Sequence, residues 1–139
     1  MTERQVVVGE DGRAKVYRPL PDDARIAAVR AGLEAYAAGD FFEAHELMEP
    51  AWMGTADLAE RDLIQGLIKV AAADVHAVRG NPAGIRRNLE GARRRLASGA
   101  GGAITGVDLD VEDLLAAVDA RLAGTAELAT PISIGWRMR

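Results

Sequence analysis

The stretch that decides the fold runs from Leu63 to Val78 and reads LIQGLIKVAAADVHAV, with Lys69 and Asp74 as its only acidic or basic side chains besides the histidine. A helix that is apolar on nearly all sides must be packed by neighbours on several sides, so this segment is predicted to be the central helix of its domain. Gly66 and the run Ala71–Ala73 are small enough to let neighbouring helices approach closely.

Four further helices are predicted around this segment from apolar periodicity and end signals. The five predicted helices span residues 23–38, 41–53, 57–79, 82–97 and 111–123. Asp22 or Asp23, Asp40 and Asp110 are the predicted caps of the first, second and fifth. The clearest junction is Gly80-Asn81-Pro82, where glycine ends one helix, asparagine caps the next and proline opens it. The fold class is therefore all-α, a compact bundle of about five helices.

The ends of the chain differ from this helical domain, which is predicted over residues 21–125. Residues 1–20 form an N-terminal extension, in which Val6–Val8 and Ala14–Tyr17 flank Asp11-Gly12 in a pattern compatible with a short β-hairpin. An isolated hairpin is marginally stable, so it would have to dock on the bundle. The Gly-rich segment 98–106 is predicted to be a flexible connector, and residues 126–139 an extended C-terminal strap.

The composition excludes several kinds of chemistry but does not identify one. The 139 residues suit one domain, and 27 alanines with 4% aromatic residues favour helices. The absence of cysteine excludes disulfides, thiolate metal sites and a cysteine nucleophile. No apolar run approaches the roughly 18 residues of a spanning helix and no signal-peptide layout is present, so no membrane association and a cytoplasmic location are expected. The net charge of −4 disfavours nucleic acid as a main partner.

The second predicted helix, FFEAHELMEPAWM, carries the most suggestive polar group. His45 and Glu49 are four residues apart and can meet on the helix surface, with Glu46 on the far side of Glu49. Imidazole and carboxylate oxygens are ordinary ligands of zinc, iron or manganese. The spacing is therefore compatible with a divalent metal. The alternative is a partly buried histidine that is hydrogen-bonded to a carboxylate.

The third helix offers partners for that group. Gln65 and His76 lie along one stripe, which makes His76 the natural candidate to meet His45 or Glu49 across a helix contact. The alternative places His76 at the exposed C-terminal end of the helix, where a cation favours the helix dipole. Asp74 falls on the apolar stripe and must find a partner there, because burying a lone carboxylate is costly. The predicted cationic partners of the carboxylates are Arg61 and Arg79.

The fourth helix carries five arginines. They are typical of a solvated face, and a phosphate-binding surface is the alternative. No aromatic residues alternate with them to stack bases, and the Gly-rich segment lacks the ending of a phosphate-binding Walker loop. The five are Arg86, Arg87, Arg93, Arg94 and Arg95.

The stretch from Gly39 to Leu96 resembles the family called Domain of Unknown Function 309. The resemblance is carried by three motifs: FFEAHExxExxW over 41–52, RDxxQGLI over 61–68, and AAAxxH followed by GNPxG over 71–84. It implies a small all-α bundle, and members of the family are labelled predicted metal-dependent hydrolases without a named substrate. The polar site that it implies is His45, Glu46, Glu49, Gln65 and His76.

Two functions follow as hypotheses. In the first, a metal-dependent hydrolase binds zinc or manganese through His45, Glu49 and His76, and Glu46 acts as general base. In the second, a non-catalytic binding or scaffold module uses the same residues with Glu43 and Gln65 as a structural network between helices two and three. A small molecule is the expected ligand, and self-association is left open.

Overall fold

The computed structural model describes residues 6–9 and 12–139, and it confirms the predicted all-α fold class. Each helix begins and ends within two residues of its predicted limits. The five helices are α1 (Asp22–Ala37), α2 (Phe41–Met53), α3 (Leu58–Val78), α4 (Pro82–Gly99) and α5 (Val111–Ala123). No helix in this part of the chain is long and apolar enough to cross a membrane.

Helix α3 is central, as its sequence predicts. It packs against both α2 and α4, while α1 covers α2 and α5 covers α4. Leu63, Ile64 and Leu67 are buried on α3 and join the main core. A Cβ atom on Gly66 would lie 2.6 Å from the side chain of Leu96, so the close approach of α3 and α4 depends on this glycine.

The predicted capping hydrogen bonds form at the starts of α4 and α5 but not at the starts of α1 and α2. The Asn81 side chain accepts a hydrogen bond from the Gly84 N–H at 3.2 Å, and Asp110 accepts one from the Asp113 N–H at 3.1 Å. Asp40 occupies the cap position of α2, but its side chain makes no capping hydrogen bond. The predicted cap of α1 is wrong: Pro21 precedes the helix, and the two aspartates after it lie in the first turn, where the dipole favours them.

The N-terminal hairpin is confirmed. Strands β1 (Val6–Val8) and β2 (Ala14–Val16) pair antiparallel, and Val7 is fully buried against the bundle. Docking of this side chain supplies the support that an isolated hairpin lacks. The predicted Asp-Gly turn includes Asp11, which lies outside the described residues.

A second strand pair was not predicted. β3 (Val107–Leu109) pairs antiparallel with β4 (Trp136–Met138), so the last part of the predicted strap is a strand. Each strand has three residues, too few to show an alternating pattern in the sequence. The connector before β3 is also fixed, because the N–H and hydroxyl of Thr105 each donate to the buried Glu60 carboxylate at 3.0 Å.

Candidate functional site

Helix α2 brings His45, Glu46 and Glu49 together, as the spacing predicts. One ligating atom from each of the three lies within 4.8 Å of the others. The separation between His45 Nδ1 and Glu46 Oε1 is 3.2 Å. The side chains of His45 and Glu49 are 31% and 23% exposed, so the group lies at the surface with one side covered. We call these three residues the His/Glu cluster.

The cationic partner of the cluster comes from the hairpin. The Lys15 ammonium pairs with Glu49 Oε1 and lies 5.7 Å from the centre of the Trp52 ring. The prediction of Arg61 and Arg79 as partners is wrong. Arg61 donates to the Thr55 carbonyl at 2.9 Å and its guanidinium lies over the Tyr17 ring.

The sequence carries no signal for this contact. Lys15 precedes Glu49 by 34 residues, and its position depends on how the hairpin docks. Arg79 is placed elsewhere: it lines a cavity of about 630 Å³ at the other end of α3, together with the exposed Glu43, and Glu43 is not among the three residues whose ligating atoms converge.

A cavity of about 210 Å³ lies beside the His/Glu cluster. Gln65 reaches it from α3 and is only 4% exposed. Its amide oxygen is buried and has no hydrogen-bond partner within 6–9 and 12–139. The family resemblance implies Gln65 as a site residue, and the geometry places it next to the cluster. The lining residues are Gly9, Arg13, Lys15, His45, Glu49, Trp52, Gln65, Ile68 and Lys69.

The structure does not bring His76 to this cavity. It follows Gln65 by eleven residues, which is about 16 Å along a helix axis. Its Nδ1 lies 3.1 Å from the Asn81 side-chain nitrogen, and the ring packs so closely on Gly84 that a Cβ there would lie 2.3 Å from Nδ1. The prediction that His76 meets His45 or Glu49 is therefore wrong. The helix stripe was correct, but two residues on one stripe can lie at opposite ends of a long helix.

Asp74 finds the partner that its buried position requires, away from the cluster. The Tyr36 hydroxyl donates to Asp74 Oδ2 and accepts a hydrogen bond from the Ile132 N–H at 2.9 Å. Burial raises the pKa of Asp74, and the Tyr36 hydrogen bond and the charge of Arg121 oppose this rise. Burial also raises the pKa of Tyr36, and the hydrogen bond to Asp74 raises it further. This group links α1, α3 and the C-terminal segment.

Three arginines of α4 make contacts within the protein that bear on its fold. Arg86 donates to the Leu122 carbonyl at 3.2 Å, and Arg93 pairs with Asp119 at 2.5 Å. Arg95 pairs with Asp62 at 3.0 Å and also donates to the backbone of the hairpin. These contacts favour a structural role for this face, and phosphate binding stays a prediction.

The fold and site together define a small helical protein with a His/Glu cluster beside a cavity at the α2–α3 contact. Residues 29–88 match the family model described as Domain of unknown function (DUF309), so the chain resembles this family. The match begins within α1 and ends within α4, which shifts both limits of the predicted resemblance. No curated protein and no solved structure matches the chain.

Proposed function

We propose that the protein binds a divalent cation, zinc or manganese, through the His/Glu cluster and hydrolyses a small substrate in the adjoining cavity. The observation that supports this proposal is the convergence of one imidazole nitrogen and two carboxylate oxygens within 4.8 Å. One nitrogen and two oxygens form a ligand set suited to catalytic zinc and, because it is rich in oxygen, also to manganese.

The roles of the residues change from those predicted by the sequence. Glu46 replaces His76 as the third ligand, since it contacts His45 and His76 is remote. A bound divalent cation would lower the pKa of water and polarise the substrate. The cavity wall formed by Trp52, Gln65 and Ile68 would position the substrate and limit the access of bulk water.

Lys15 competes with the cation in this proposal. Its ammonium group pairs with Glu49, so a metal ion has to displace it before Glu49 can act as a ligand. A partly exposed ion pair is worth about 0.2–1 kcal/mol, and Lys15→Met should therefore strengthen cation binding by about 1.4- to fivefold. The hairpin would thus tune the affinity of the cluster.

Calorimetric titration of EDTA-treated, tag-free protein with MnCl₂ and with ZnCl₂ tests the proposal. His45→Ala and Glu49→Gln should each weaken binding by at least about tenfold, the lower end of what even outer-shell changes cost. Glu43→Gln is the matched control, because Glu43 is an exposed carboxylate of the same helix outside the cluster. Equal affinity in all variants, or no binding of either metal, would contradict the proposal. Hydrolysis of carboxylic and phosphoric ester substrates should depend on the same cation.

A second candidate function is a module in which the cluster has a structural role only. The observation that favours it is the contact of Lys15 with both Glu49 and Trp52, which ties the hairpin to α2 without a ligand. Under this alternative, His45→Ala lowers the free energy of unfolding by roughly 1–3 kcal/mol. Neither Mn²⁺ nor Zn²⁺ then changes the melting temperature of the wild-type protein, whereas a bound cation would raise it.

A further inference from the structure

We propose that the cavity beside the His/Glu cluster binds a small organic anion that also carries a hydroxyl or amino hydrogen-bond donor. Lys69 would hold the anionic group and Gln65 would accept from the donor. This inference names the substrate class of the same site, and its relevance to catalysis rests on the proposed function. The binding itself uses residues of α3 that are not cation ligands.

The first observation concerns Lys69. It is partly buried in the Leu63–Val78 stretch of α3, where the other charged side chain is Asp74, and it lines the cavity. Lys15, from the hairpin, pairs with Glu49, but the Lys69 ammonium has no ion pair or hydrogen bond to any other described residue. A cationic group that is partly removed from water without a partner is stabilised by an anion. The carboxylate or phosphate of a ligand would supply one.

The second observation concerns Gln65, one helical turn before Lys69. Its side chain is almost fully buried, and its amide oxygen lacks a donor within the described part of the chain. Leaving a buried acceptor without a partner is unfavourable, so a ligand that donates to it should bind more tightly than one that does not. Because Gln65 and Lys69 are four residues apart, both side chains lie on the same side of α3. Both residues line the cavity, so one small molecule there can lie beside both.

The size and wall of the cavity restrict the ligand further. Its volume of about 210 Å³ is below the ~300 Å³ at which cavities begin to accept drug-sized molecules. A cavity of ~150 Å³ holds benzene, so an acid of three to five carbons is of suitable size. Trp52 and Ile68 are buried and supply an apolar wall for a short carbon chain. Short hydroxy or amino acids combine all these features.

Three probe molecules of nearly equal size separate the two contacts in the wild-type protein. L-Lactate carries both the carboxylate and the hydroxyl, propionate lacks the hydroxyl, and L-lactamide lacks the charge. The readout is the shift of the backbone and glutamine side-chain amide resonances of the ¹⁵N-labelled 139-residue protein. The titration is done in the presence of EDTA and reaches about 50 mM ligand, where sites of millimolar affinity are saturated. We expect lactate to shift the Gln65 side-chain resonances saturably, propionate to bind about threefold more weakly and lactamide about tenfold more weakly.

Variants assign each preference to one residue. Lys69→Met should reduce the preference for lactate over lactamide, and Gln65→Leu should reduce the preference for lactate over propionate. Arg87→Met is the control, because this cation is exposed on α4 and should leave both preferences unchanged. The absence of saturable shifts with lactate, or equal binding of lactate and lactamide by the wild-type protein, would overturn the inference.

The same titration separates this inference from the proposed function. Lactate binding in EDTA, together with no calorimetric binding of Mn²⁺ or Zn²⁺, would retain the anion site and exclude the cation. Cation binding without lactate shifts would retain the cation site and exclude the anion site.

Discussion

Replacing Tyr36 by phenylalanine tests how the C-terminal segment is held on the bundle. The change keeps the ring and removes one hydroxyl, which donates to Asp74 and accepts from the Ile132 N–H. Asp74 and Ile132 are each 5% exposed, so water cannot easily replace the hydroxyl. A hydrogen bond to a charged group is worth about 1.5–3 kcal/mol, and an unsatisfied buried N–H costs about 1–3 kcal/mol. The expected loss in the free energy of unfolding at neutral pH is therefore about 3–5 kcal/mol.

The loss in the free energy of unfolding caused by Tyr36→Phe should depend on pH. Burial raises the pKa of Asp74 above 3.8, and the Tyr36 hydrogen bond lowers it, so Tyr36→Phe raises this pKa further. A carboxyl group with a higher pKa in the folded than in the unfolded state binds more protons when folded. Its contribution to the free energy of unfolding then falls as pH rises through the folded-state pKa. The destabilisation by Tyr36→Phe should accordingly be largest near neutral pH and smaller in acid, where Asp74 is protonated.

Urea unfolding followed by far-ultraviolet circular dichroism, once at neutral pH and once at an acid pH, measures both effects. Tyr17→Phe is the matched control: the Tyr17 ring is partly buried under the Arg61 guanidinium. Its hydroxyl makes no hydrogen bond to another described residue, so we expect a change within about 0.5 kcal/mol. A loss below about 1 kcal/mol for Tyr36→Phe, or one of equal size at both pH values, would refute the reasoning.

Two further predictions concern the helix contact and the second strand pair. Gly66→Ala places a Cβ 2.6 Å from the Leu96 side chain, so it should lower the free energy of unfolding by about 1–3 kcal/mol in urea titrations. Adding Leu96→Ala to the same chain should recover part of that loss. Additive losses would contradict the packing argument. Hydrogen bonds and charges of Arg139 and Arg137 lower the pKa of Asp108. Acid that protonates this carboxylate should therefore weaken the protection of the β3 amides against hydrogen exchange. The protection of the β1 amides is the reference. Unchanged relative protection would show that the strand pair does not depend on these charges.

The features that the sequence predicted correctly are local ones. Helix limits follow from caps and apolar periodicity, which act within a few residues, and the meeting of His45 and Glu49 follows from one turn of helix. The central position of the Leu63–Val78 stretch of α3 also follows from its composition, because an almost uncharged stretch of helix has no face to present to water.

The features that the sequence could not predict depend on distant parts of the chain. Lys15 reaches Glu49 only because the hairpin docks through Val7. The prediction for His76 failed because helical phase gives direction around the axis and not position along it, and α3 is 21 residues long. Placing these side chains requires the tertiary packing of α2 and α4 against α3.

The hairpin has a consequence for how this site can diversify. The His/Glu cluster and Gln65 lie within the 29–88 segment that matches the family model, whereas Gly9, Arg13 and Lys15 complete the cavity from outside it. The proposed cation ligands and one wall of the cavity thus lie on separate parts of the chain. If the proposed function is correct, exchanging the hairpin would alter which molecules fit the cavity while the His/Glu cluster stayed intact.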